Sequence, residues 1–174
     1  MYNYEIKLVD SSRLIADLLV ADIGNNTDKF AEMMELALRD EYPLSMRAAR
    51  IIALCVEKNN SLIDPHLQNI IEVLDSICVE GVKRSFLKIF AELPLHLNED
   101  MLGILTDRSF IWLNNPKEAI AIRYYAIEIL LKVVKLFPEI KFELSDCLHT
   151  ILDNESSALQ VKSRKAIKYL NRII

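Results

Sequence analysis

The sequence predicts an all-α protein, a solenoid of about nine helices, and three observations carry that expectation. Apolar residues recur at i, i+3 and i+4 along most of the 174-residue chain, the period that lines one face of a helix. Only 3 glycines and 5 prolines are present, too few for the many tight turns of a sandwich or barrel. Four arginines, Arg47, Arg84, Arg123 and Arg164, open similar apolar segments at intervals of 37, 39 and 41 residues. Self-similarity at such a period marks stacked supersecondary units.

Residues 1–9 alternate, with Tyr2, Tyr4, Ile6 and Leu8 on one side, and are expected to form an extended arm. Asp10 is placed to cap a first helix, Val9 and Leu14 fit a hydrophobic staple, and Leu14, Ile15, Leu18 and Leu19 supply its apolar stripe. Gly24-Asn25-Asn26 tolerates left-handed backbone and ends it. A second helix starts at Thr27 with Phe30, Met33, Met34, Ala37 and Leu38 inward. Pro43 opens a third, whose inner residues are Met46, Ala49, Ile52, Ala53 and Val56. Asp64-Pro65 repeats the start signal for a fourth, amphipathic from Leu67 to Cys78. Gly81 permits a sharp turn into a fifth, which stops near Pro94. Asn98 caps a sixth that carries Leu105 and Trp112, and Gly103 within it marks close approach of a neighbour. Asn115-Pro116-Glu118 signals a seventh, the clearest, from Ile122 to Phe137, with a second stripe of Ile120, Ile127 and Leu131. An eighth (Leu144, Cys147, Leu148, Ile151, Leu152) and a ninth (Leu159, Ala166, Ile167, Leu170, Ile173) follow.

The expected organisation is a single domain over 1–174. Residues 1–26 form an arm and cap helix, and 27–58, 62–94, 98–137 and 139–174 form four hairpins. No apolar run reaches the ~20 residues of a membrane span. Residues 1–26 lack the pattern of a secretory signal, so the cytoplasm is the expected compartment. Cys55, Cys78 and Cys147 are odd in number and widely spaced, which reads as buried free thiols rather than a disulfide framework. Net charge is −4 but uneven. Residues 1–155 carry 16 Lys+Arg against 25 Asp+Glu, whereas 156–174 carry five cations and no acid. A basic last helix on an acidic body either contacts an acidic partner or solvates the end of the stack.

Around the arginines the copies read Met46-Arg47-Ala48-Ala49-Arg50-Ile51-Ile52, Lys83-Arg84-Ser85-Phe86-Leu87-Lys88-Ile89, Ile122-Arg123-Tyr124-Tyr125-Ala126-Ile127 and Ser163-Arg164-Lys165-Ala166-Ile167-Lys168. On these segments the chain resembles the HEAT-repeat, armadillo-like family over residues 27–174. The resemblance implies a right-handed αα-superhelix, with arginine at the start of the second helix of each hairpin bonding backbone or acids between repeats. The family's turn aspartate has only irregular counterparts here: Asp40 or Glu41, Glu80, Glu118 and Glu155.

No glycine-rich phosphate loop can be drawn; Asp146 and His149 share a helical face, but the second acid-x-x-His helix that a metal site of that kind needs is absent, and His66 and His96 read as structural. No catalytic residue, cofactor or metal is expected. The family's stacked hairpins mainly hold proteins or peptides, which makes a protein-interaction scaffold the first functional expectation. Its candidate partner-binding or inter-repeat residues are Arg47, Arg50, Arg84, Lys88 and Arg123. A candidate basic patch comprises Lys162, Arg164, Lys165, Lys168 and Arg172. The alternatives are nucleic-acid binding, by similarity to HEAT-like DNA glycosylases, and a HEAT-like lyase or accessory protein. The acidic body opposes phosphate contact and disfavours the first of these. A homodimer through the last helix is a further expectation, because that helix closes on Ile173-Ile174 with no polar cap after it.

Overall fold

The structure, a computed structural model, describes residues 2–94, 97–154 and 157–172, and all regular structure among them is helical. The chain falls into two compact units, Met1–His96 and Leu97–Ile174. Unit 1 holds α1 (Tyr4–Lys7), α2 (Arg13–Ile23), α3 (Thr27–Leu38), α4 (Leu44–Lys58), α5 (Leu67–Val73) and α6 (Glu80–Glu92). Unit 2 holds α7 (Glu99–Asn114), α8 (Ile120–Val133), α9 (Lys141–Asn154) and α10 (Ser157–Leu170). Short 3-10 segments at Asn60–Leu62, Asp64–His66 and Pro138–Ile140 join them.

In unit 1, α4 packs against α2, α3 and α6, which is why Ala48, Ala49, Ile51, Ile52, Cys55 and Val56 are all buried around it. Small alanines on α4 let its neighbours approach closely. The Gly81 backbone of α6 lies so near α4 that a Cβ there would sit 2.5 Å from Met46 Cγ. Gly81 therefore serves close packing inside a helix, where a turn was expected. Gly103, expected to touch a neighbour, has open space around it. In unit 2, α7 pairs with α8 and α9 with α10, and α10 also packs on α8. Trp112, Leu113, Ile122, Ala126, Ile127, Leu130, Leu148 and Leu170 form that core. The second stripe expected on α8 is only partly inside: Ile127 is buried, Leu131 is half-buried and Ile120 is exposed.

Residues 4–7 are helical, not extended. Tyr4 and Leu8, four apart, are buried, while Ile6 is 69% exposed, so the alternation was a helical spacing seen over too few residues. The Glu32 carboxylate accepts from the Tyr2 and Tyr4 N–H groups at 2.7 and 3.2 Å and holds this turn down. Ser12, not Asp10, caps α2 by accepting from Ile15 N–H; Asp10 accepts from Ser12 N–H instead. Val9 and Leu14 are both exposed, so no staple forms, and the buried stripe of α2 is Ala16, Leu19, Val20 and Ile23. The caps expected at Gly24 and Asn98 are present, and Asn26, expected only to help end the first helix, caps α3 by accepting from Lys29 N–H.

The fourth helix is shorter than its pattern. The Ser76 N–H and hydroxyl both donate to Val73 C=O and close the turn, which leaves Ile77 and Cys78 outside the helix. Asn115 ends α7 and caps the following turn through Lys117 N–H, so α8 starts four residues later than the start signal implies. His96, Glu155 and Ile173 lie outside the described residues.

Candidate functional site

Burial along the second helices repeats with a register the arginines do not follow. Leu44, Val82, Ile122 and Lys162 occupy one position, so the spacing is 38, 40 and 40 residues. The next position holds Ser45, Lys83, Arg123 and Ser163, all buried. Ser45 Oγ donates to Leu36 C=O at 2.6 Å and Arg123 Nε to Leu113 C=O at 3.0 Å. In both cases a buried donor satisfies a carbonyl in the last turn of the helix before it, one that the helix itself leaves unpaired. Arg123 is thus an internal strut. Arg84 and Arg164 share the following, exposed position, and Arg47 lies one residue further on.

The remaining candidates divide by what they touch. One Arg47 Nη donates to Leu8 C=O and Val9 C=O, both at 2.8 Å, and Arg50 donates to Ser11 C=O at 2.5 Å. These two bind the segment ahead of α2 onto α4. Lys88 pairs with Glu57 of α4 at 2.8 Å. Lys162 is buried, pairs with Glu128 of α8, and lies 4.7 Å from the Tyr124 ring centroid. Arg164, Lys165, Lys168 and Arg172 are exposed and have no hydrogen-bond or ion-pair partner among the described residues. The basic patch therefore has four solvent-facing members and one internal one.

The turn acid that matters is Asp40, in the left-handed conformation (φ 58°) between α3 and α4. Its carboxylate accepts from Cys78 N–H at 2.7 Å and Val79 N–H at 2.8 Å, at the entry to α6. It ties one hairpin to the next through backbone rather than through arginine.

Sequence reasoning missed a surface on α8 and α10. Tyr124 is 39% exposed and meets Tyr125 edge-on at 5.5 Å. A groove of about 200 Å³ opens among Glu128, Leu131, Lys132, Lys135 and Tyr169. Lys135 Nζ lies 5.9 Å from the Tyr169 ring centroid. Burial, reinforced by the charge on Lys135, holds the Lys132 ammonium below its usual range. The signal was the Tyr124-Tyr125 pair, which the 40-residue register turns to the half-exposed side.

Cys55 is buried and its thiol is pushed up to about 11 by desolvation; Cys147 is half-buried, but Cys78, expected inside, is exposed because it lies beyond the end of α5. Among the described residues no group of three or more His, Cys, Asp or Glu is placed to hold a metal, and no helix is long and apolar enough to cross a membrane. A family model described as HEAT repeat domain matches residues 9–170. No curated protein and no solved structure matches the chain.

Proposed function

Because the chain belongs to the HEAT-repeat family, we propose that it is a non-enzymatic scaffold that holds a protein or peptide partner on the face shared by α8 and α10. The observation that carries this reading is the groove lined by Glu128, Leu131, Lys132, Lys135 and Tyr169, with the edge-on Tyr124–Tyr125 pair earlier on α8. Tyrosine supplies large contact area at low entropic cost and is enriched at interface centres. The lysine stems add apolar surface while their ammonium groups set orientation. By contrast Arg47, Arg50 and Arg123 are already engaged with backbone carbonyls, so they support the scaffold more than its recognition. The same reading puts the chain in the cytoplasm, where an exposed free thiol such as Cys78 stays reduced.

The test is a comparison of three proteins in affinity purification followed by titration of the purified partner. Wild type and Arg84→Ala retain the same protein, whereas Tyr124→Ala combined with Lys135→Glu weakens it by roughly tenfold or more, as loss of an anchor residue does. Equal retention by all three, or recovery of nucleic acid alone, overturns the reading.

A further inference from the structure

We propose that the groove between α9 and α10, on the flank of α10 away from α8, is a second docking site that receives an acidic, leucine-bearing helix of a partner protein. The groove has a volume of about 410 Å³. Half-buried Leu152 and Ile167 floor it, and Arg164, Lys168 and Arg172 rim it at four-residue spacing along α10.

The repeat register shows what such a place takes. Ile167 stands where α4 has Ala49 and α8 has Ile127, both fully buried. α6 packs on α4, and α10 packs on α8. Each of those helices is a seat for the next. In both filled seats the seat supplies an acid and the incoming helix a lysine: Glu57 of α4 meets Lys88 of α6, and Glu128 of α8 meets Lys162 of α10. On α10 the position of Glu128 is taken by Lys168, as it is by Arg50 on α4, but where α4 also carries Glu57 and α8 carries Glu128, residues 157–172 hold no acid at all. Arg164, Lys168 and Arg172 have no partner among the described residues, so this seat repels a lysine-bearing helix of the kind found inside the protein and attracts a carboxylate-bearing one. The apolar floor favours a peptide helix over a phosphate backbone, which makes no use of Leu152 or Ile167. This site is separate from the α8–α10 face and does not depend on that face binding anything.

The probe is a synthetic amphipathic helix with leucines four residues apart flanked by glutamates, titrated by fluorescence anisotropy against a copy with lysine at each glutamate. The acidic peptide binds saturably and the basic one does not. Ile167→Asp abolishes binding, and Lys168→Glu weakens the acidic peptide about tenfold while admitting the basic one. Tyr124→Ala leaves the titration unchanged, which separates this site from the face proposed above. Thermal melts confirm that each variant folds; if Ile167→Asp does not, Ile167→Ser and the charge reversal at Lys168 carry the test. Three outcomes overturn the proposal: equal binding of both peptides, duplex DNA binding as tightly and through Lys168, or self-association in sedimentation that Lys168→Glu removes. The last would give the groove to a second copy.

Discussion

Arg123 and Arg84 differ more in what they do than any two arginines aligned by sequence would indicate. Arg123 is buried with Nε on Leu113 C=O, so Arg123→Met strands an inner carbonyl and is expected to cost about 2–3 kcal/mol, the range for a hydrogen bond from a charged donor. Arg84 is exposed, and Arg84→Ala is expected within about 0.5 kcal/mol of wild type. Urea unfolding of the two variants checks the contrast. The glycines make a second opposed pair. At Gly81 a methyl runs into Met46, so Gly81→Ala is expected to lower stability by about 1–3 kcal/mol, with Met46→Ala in the same chain offsetting part of the loss. At Gly103 nothing lies within 4 Å, and Gly103→Ala is expected to raise stability by about 0.5–1 kcal/mol through helix propensity alone. Urea midpoints that move in the same direction for both would show that the approach of α6 to α4 is wrongly assigned.

Between elements, single carboxylates do the joining. Asp40 caps the entry to α6 from the turn of the preceding hairpin. Asp40→Ala is expected to cost about 1–2 kcal/mol and to speed hydrogen exchange at the Cys78 and Val79 amides. Asp40→Gly keeps the left-handed backbone, so its effect isolates the carboxylate from the strain. Asp22 links α1, α2 and α3 by accepting from the Lys29 ammonium at 2.8 Å and the Tyr4 hydroxyl at 2.6 Å. Those bonds, Lys29 first, lower its carboxyl to about 2 from an ordinary 3.8. The folded state therefore holds the proton less tightly than the unfolded one. The stabilisation is present above the ordinary carboxylate range and is lost as pH falls toward about 2. The side chain is 38% exposed, which keeps the effect modest. Asp22→Asn is expected to narrow the gap in urea midpoint between about pH 5 and about pH 3, and an unchanged gap would mean the bonds to Lys29 and Tyr4 do not form in solution.

Across the whole molecule the legible part was the helical period, the scarcity of glycine and proline, and a repeat near 40 residues. These survive because burying one stripe of a helix needs the same spacing whatever it packs against. Caps were legible only in part: Gly24 and Asn98 stand where expected, whereas Asp10 and Asn115 bond amides two residues on and leave the helix starts to other residues. The first turn was misread because Tyr4 and Leu8 give only one helical interval, and the bond from Glu32 that selects the helix comes from 28 residues away. The arginine register was misread because 37, 39 and 41 average close to the true spacing while hiding one-residue offsets, and one residue turns a side chain by about 100° around a helix. The sequence by itself determined that this chain is a HEAT-type helical repeat with a cationic last helix. Only the tertiary structure decided which cations are spent on carbonyls and glutamates within the protein and which face water. Pairing depends on where two helices bring their side chains together, and no spacing along one helix records that.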